Sequence, residues 1–175
     1  IMKNIYSNIY SLNKKILNKT VKFLKEGNIA GLPTETVYGL AGNAYSNKAL
    51  KKIFKLKRRP KKNPLIIHYF KIKDAEKDVV LNRHFFKLYK KFCPGPITFV
   101  LKKNKKSKIK GIATANLNTV AIRFPSHIVI KSILKKTNFP LAMPSANISS
   151  GLSPISAYDV FEEFKKKLKI IINGG

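Results

Sequence analysis

The chain has 175 residues, 44% of them hydrophobic, and its 36 basic and 8 acidic residues give a formal net charge of +28. That length fits one domain, 1–175, with a core large enough to need no staples; the single cysteine, Cys93, excludes an intrachain disulfide and a cysteine zinc cluster. No apolar run reaches the roughly 20 residues of a membrane span, Asn and Lys interrupt the N-terminal stretch where a signal peptide would need apolar residues, and a cytoplasmic location with no membrane partner is expected.

In chain order, Leu12, Ile16, Leu17, Val21 and Leu24 form an apolar stripe that predicts a helix over 12–26, ended by Gly27. A short strand follows over 28–32 and stops at Pro33. The next stretch, "GLPTETVYGLAGNAYS", stands where phosphate-binding loops usually sit but lacks their glycine patterns. It carries hydroxyls instead, Thr34, Thr36 and Tyr38, around the carboxylate of Glu35. Residue types alone leave open an incidental turn or a loop for a small polar ligand such as an amino acid. Ser46 is placed to N-cap a helix over 47–57, and the loop "KRRPKKNP" follows, bracketed by prolines.

Strands are expected at 65–69, 97–101, 119–124, 141–144 and 170–172, and helices at 82–92, 128–136 and 157–168. Alternating helices and strands, most strands carrying a hydrophobic run, predict an α/β fold with a covered sheet. Lys57, Arg58, Arg59, Lys61 and Lys62 crowd one loop, which suits an anion such as a triphosphate or is a solvated basic loop in a Lys-rich chain. Arg123 ends the strand "TVAIRFP" and needs an anionic partner if buried, either a carboxylate or phosphate of a ligand or a structural ion pair. Ser145 and Asn147 begin the Ser/Gly loop "SANISSGLSP", either a neutral cradle for phosphate or a polar turn. His68 within "PLIIHYF" reads as a structural histidine as readily as a functional one. The chain begins Ile1-Met2, which points to Met2 as the start, and it stops on "IIINGG" after a strand signal, which reads as a frame truncated at its C-terminus.

From Asn13 onward these segments resemble the YrdC-like family, the threonylcarbamoyl-AMP synthases. The markers stand in order: "PTETVYGL", Lys57-Arg58-Arg59 followed by "NPLIIH", "PGPITFVL", "TVAIRFP", and Ser145-Ala146-Asn147 inside "PSANISSG". The resemblance implies a twisted mixed sheet, flanking helices and one deep ligand cleft. It implies synthesis of threonylcarbamoyl-AMP and pyrophosphate from L-threonine, bicarbonate and ATP, with Mg²⁺ accompanying ATP. A tRNA-modifying threonylcarbamoyl transferase complex would take the product to adenosine 37 of tRNA. By position it puts Thr34, His68 and Arg123 on the threonine side, with Met143 lining that pocket through its backbone. It puts Lys57, Arg59, Thr119, Ser145, Asn147 and Ser153 on the nucleotide, with Lys57 and Arg59 neutralising the transferring phosphate; no side chain is assigned to a metal. Cys93 departs from the family, which usually has an aromatic residue before "PGP".

The rival reading is an RNA-binding module without adenylating activity. The charge favours it, as a tRNA or double-stranded RNA contact would need basic residues, and Gly39-Leu40-Ala41-Gly42 matches the G-x-x-G of KH domains. Yet only four of the basic residues are Arg (58, 59, 83 and 123), and Arg is the residue that specific phosphate and base recognition favours. A Lys-rich compositional bias explains the charge as well.

Overall fold

The computed structural model describes residues 6–175, so Met2, read above as the start, lies outside the described residues. Eight strands form one mixed sheet in the order β1-β8-β2-β3-β7-β4-β6-β5. They are β1 (Ile9–Ser11), β2 (Ile29–Leu32), β3 (Gly39–Asn43), β4 (Ile66–His68), β5 (Thr98–Lys102), β6 (Thr119–Arg123), β7 (Leu141–Ala142) and β8 (Ile171–Asn173). The helices are α1 (Lys14–Lys25), α2 (Asn47–Lys57), α3 (Ile72–Ala75), α4 (Arg83–Phe92), α5 (Gly111–Thr114), α6 (Ile128–Lys136) and α7 (Ala157–Phe164). The result is a single α/β domain.

Strand alternation sorts the core into two layers. Leu40, Ile67, Ile122, Ala142 and Ile171 pack on one face with α2 and α7 residues such as Ile53, Phe54, Val160 and Phe164. Ala30, Leu32, Ala41, Leu141, Ile170 and Ile172 pack on the other with α1 and α6, through Leu24, Ile130, Ile133 and Leu134. With both faces covered, strands β2 and β3 are buried almost throughout, and they show none of the polar alternation of a half-exposed strand.

The predicted helices form where their caps are. Asn13, Ser46, Asn82 and Ser156 each accept a backbone N–H of their helix's first turn, and Ser156 with Asp159 makes a full capping box. Gly27 takes φ +77° just past α1, a conformation glycine adopts without strain. Helix α7 ends at Phe164, earlier than expected, because Lys165 leaves the helical region and starts a 3-10 turn over Lys165–Lys167.

Strand β3 fills a stretch to which the sequence assigned no element. Gly39-Leu40-Ala41-Gly42 pairs antiparallel with β2, register Leu32 to Gly39 and Ile29 to Gly42, in the middle of the sheet. The KH-type match therefore falls: this glycine pair serves close packing. A Cβ on Gly39 would stand 2.4 Å from Met143 Cγ, so the strand needs glycine there.

Candidate functional site

Pro33 ends β2 because it cannot donate to the ladder, and the loop 33–38 then bridges β2 to β3. Its conformation is held by its own hydroxyls. Thr34 Oγ1 donates to Val37 O at 2.6 Å and accepts from the N–H groups of Thr36 and Val37, each at 3.2 Å. The loop is stitched to the 144–154 segment through Tyr38 N to Pro154 O, Leu40 N to Pro144 O and Ala146 N to Tyr38 O, all at 2.8 Å.

Parallel pairing of β4 with β6 sets His68 beside Arg123 in register. Arg123 Nη2 and Nε donate to Glu35 Oε1 at 2.7 and 3.2 Å, and Nη2 also reaches Thr36 Oγ1 at 3.2 Å. Glu35 Oε2 accepts the N–H groups of Ser126 and His127, at 3.1 and 3.4 Å. Burial raises the Glu35 pKa, but the Arg123 hydrogen bonds, backbone N–H groups and the Arg123 charge outweigh it and hold the carboxyl below its ordinary value. His68 is buried; desolvation first, then the Arg123 charge, brings it down to about 4, so its imidazole is neutral near pH 7. Its Nδ1 has no hydrogen-bond partner although it is sealed from solvent.

At the end of α2 the left-handed Arg58, φ 51°, turns the chain. Arg59 then donates from Nε to Asn63 O at 3.1 Å and from Nη2 to Pro64 O at 2.9 Å. Both acceptors are neutral, and no carboxylate pairs with Arg59 among the described residues. Desolvation lowers its pKa.

Thr34, Arg59, His68, Arg123, Met143 and Ser145 line one cavity of about 290 Å³, together with parts of the 36–39 and 64–66 backbone segments. These residues lie as far apart in sequence as 34 and 145, and the sheet brings them together. The other nominated residues do not line it. Lys57 is 1% exposed, and its ammonium donates to the carbonyls of Ser145 and Asn147 at 2.6 and 2.5 Å. Desolvation, followed by repulsion from Arg59, brings its pKa down to about 8. It braces the Ser/Asn segment from behind; it does not present its charge to the cavity. Asn147 is also buried and closes its own loop, donating to Ile148 O and Gly151 O at 2.7 and 2.8 Å. Thr119 and Ser153 are exposed and outside the lining. Of the six residues expected to line one cleft, Thr34, Arg59, Arg123 and Ser145 line this cavity, while Lys57 and Asn147 lie behind it. A wider groove of about 930 Å³ opens elsewhere, between the 69–78, 104–108 and 134–140 segments, and none of the nominated residues lines it.

Sequence reasoning noticed Glu35 but gave it no role. Its partner Arg123 lies 88 positions away, and only the fold joins them. Among the described residues no group of three His, Cys, Asp or Glu side chains stands close enough to hold a metal ion, and no helix is long and apolar enough to cross a membrane.

The Sua5_yciO_yrdC family model, described as "Telomere recombination", matches residues 22–175. This chain belongs to the Sua5/YciO/YrdC family. It is 42% identical over 156 residues to the threonylcarbamoyl-AMP synthase of Pyrococcus abyssi, covering 87% of this chain and 45% of that protein. Against the threonylcarbamoyl-AMP synthase of Bacillus subtilis it is 37% identical over 166 residues, 94% of this chain and 48% of that protein. The crystal structure of P. abyssi Sua5 complexed with L-threonine superposes with a TM-score of 0.90 at 39% identity, over 95% of this chain and 49% of that one. The chain therefore spans just under half the length of these Sua5/YciO/YrdC relatives.

Proposed function

We propose that the protein is a threonylcarbamoyl-AMP synthase, a nucleotidyltransferase that joins L-threonine, bicarbonate and ATP. The observation that carries this reading is one cavity lined by two guanidiniums, Arg59 and Arg123, and by a neutral histidine, His68. The two cations match the two anionic parts of the substrates, an α-carboxylate and a phosphate chain. The relatives' name and a relative's complex with L-threonine point the same way.

In this reading Arg123 holds the α-carboxylate with its remaining terminal nitrogen, Nη1, and so keeps that carboxylate from acting as nucleophile. His68, neutral and lining the same cavity, stands on the threonine side. The Thr34 hydroxyl already makes its bonds within the loop, so Thr34 shapes the pocket wall. Arg59 takes the phosphates, and Lys57 positions the Ser145 to Asn147 backbone. Thr119 and Ser153, exposed and outside the cavity, face the far end of the nucleotide. Mg²⁺ enters as part of the ATP substrate.

The amine nitrogen of threonine bonds to the bicarbonate carbon, water leaves, and an N-carboxylate results. One of its oxygens then bonds to the α-phosphorus while the bond to the bridging oxygen of the β-phosphate breaks, releasing pyrophosphate. Such a transfer depends on positioning and charge neutralisation, which fixed cations in a partly dry cavity supply. In the cytoplasm the product would pass to a transferase complex that modifies adenosine 37 of tRNA.

The test is incubation with ATP, bicarbonate and threonine, with the product identified by mass and pyrophosphate release followed in parallel. Threonylcarbamoyl-AMP with threonine-dependent pyrophosphate release is expected. Release driven by carbamoyl phosphate in place of threonine and bicarbonate would overturn the reading in favour of a carbamoyl-adenylating domain.

A further inference from the structure

Two guanidiniums line one small cavity, and each is able to take either anion. A carboxylate and a triphosphate competing for both sites would give unproductive complexes. The surroundings of the two arginines differ in one respect. Arg59 gives its hydrogen bonds to neutral carbonyls, whereas Arg123 is ion-paired to Glu35 at 2.7 Å in a nearly buried pair.

We infer that Glu35 sorts the two anions, making the Arg123 end of the cavity selective for a singly charged carboxylate and leaving the multiply charged phosphate chain to Arg59. The inference rests on the proposed reading that both ligands enter this cavity, and it adds a residue with no assigned role. Glu35 is outside the lining, so it acts through Arg123 as a positioning residue.

The physical argument has two parts. First, the charge of Glu35 lowers the attraction of the Arg123 end for anions, and the loss grows with the charge of the incoming group. A carboxylate aligned with the free Nη1 still gains a charge-assisted hydrogen bond. A phosphate chain brought to the same place faces repulsion from Glu35 on every charged oxygen. Secondly, the carboxylate fixes the guanidinium's direction. Both of its oxygens accept, one from Arg123 and the other from the Ser126 and His127 N–H groups. A glutamine in its place offers one accepting oxygen, so its NH₂ would face donors on one side. Neither the orientation nor the charge survives that change, whereas aspartate retains both accepting oxygens and the charge.

The experiment is calorimetric titration of L-threonine and of inorganic tripolyphosphate, each alone and in the presence of the other. In the native protein the two should bind without competing. Glu35→Gln should weaken threonine by about tenfold to a hundredfold, the worth of a charge-assisted contact. It should also make tripolyphosphate bind as tightly or more tightly, now in competition with threonine. Glu35→Asp should keep the two ligands independent. Arg123→Gln and Arg59→Gln provide a second route should Glu35→Gln fail to fold. The first should lose threonine while tripolyphosphate stays within about threefold, and the second should do the reverse. Competition already present in the native protein, unchanged independence in Glu35→Gln, or equal losses of both ligands in each arginine variant would overturn the inference. Independent binding of both ligands without threonylcarbamoyl-AMP formation would overturn the proposed reaction and leave the sorting intact.

Discussion

Two cations that look equivalent in Lys57-Arg58-Arg59 do different work, and substitution separates them. Arg59→Ala removes a guanidinium from the cavity and should weaken ATP by roughly 1.5–3 kcal/mol, with little change in melting temperature. Lys57→Ala leaves the buried Asn147 carbonyl unpaired at a cost of roughly 1–3 kcal/mol, and the part-buried Ser145 carbonyl at a smaller one. It should therefore lower the melting temperature as well as ATP affinity. Calorimetry and thermal melts on both variants check this, and a Lys57→Ala protein that melts like the native one would contradict the bracing role. His68 gives a pH signature. Burial, with the Arg123 charge second, holds its pKa at about 4 against 6.5 in the unfolded chain. Below pH 6.5 the unfolded chain binds a proton here that the native state refuses. Stability is then complete above about pH 6.5 and falls toward pH 4, at up to about 1.4 kcal/mol per pH unit. Denaturant melts between pH 7 and 4.5 should show that slope, and His68→Asn should flatten it. Glu35, whose pKa is also depressed, contributes stability that is lost only at lower pH, below its ordinary 4.5, so the two windows are separable.

At the level of elements, strands and helices with their own local signals were legible: α2 and α6 start and stop where apolar spacing and caps put them. Strand β3 was not, because two glycines lower strand propensity and the hydroxyl loop before it drew the ligand-loop reading onward. Its reason lies across the sheet, where Met143 fills the space above Gly39. Strand β1 was missed because three residues with Tyr10 and Ser11 carry too short a pattern, and only parallel pairing with β8 makes them a strand. For the site, residue types left 33–38, 57–64, 123 and 145–147 open between ligand site and ordinary turn or loop; the family resemblance picked them out, and which side chains face the cavity was legible from neither. Lys57 and Asn147 needed the structure, since burial of a lysine depends on carbonyls nearly 90 positions away. Gly39→Ala tests the strand argument. The added Cβ meets Met143 at 2.4 Å, an overpacking that costs about 1–3 kcal/mol, and it pushes a cavity-lining side chain. Pairing it with Met143→Ala should recover most of the loss in a double-mutant cycle. Additive losses in urea melts would show that the cost of the side chain does not come from Met143.

For the whole molecule, the charge of +28 is spread along the chain, with lysines in the last turns of α1, α2, α4 and α6. Only three ion pairs form among the described residues, and two of them are exposed. A cationic concavity of about 930 Å³ is edged by Lys71, Lys77, Lys106, Lys108 and Lys135. It has no arginine, and the buried Asp78 at its floor is satisfied by Tyr45, Tyr69, Ser107 and the Lys108 N–H. Lysines act on RNA as point charges without the fork that reads phosphate or base geometry. RNA binding by this protein should therefore be weak, indifferent to sequence and steep in salt. For single strands, log K falls by about 0.7 per decade of salt for each phosphate neutralised. Replacing Lys71, Lys106 and Lys135 together with alanine should flatten that slope by about 2 if the groove carries the contact. A much smaller change would mean that the charge acts as a diffuse field over the whole surface. Fluorescence anisotropy with unrelated single strands across a salt series decides between them. A clear preference for one sequence, or a dependence on Arg59, would instead tie the basic character to the cavity and revive RNA recognition as a function of the site.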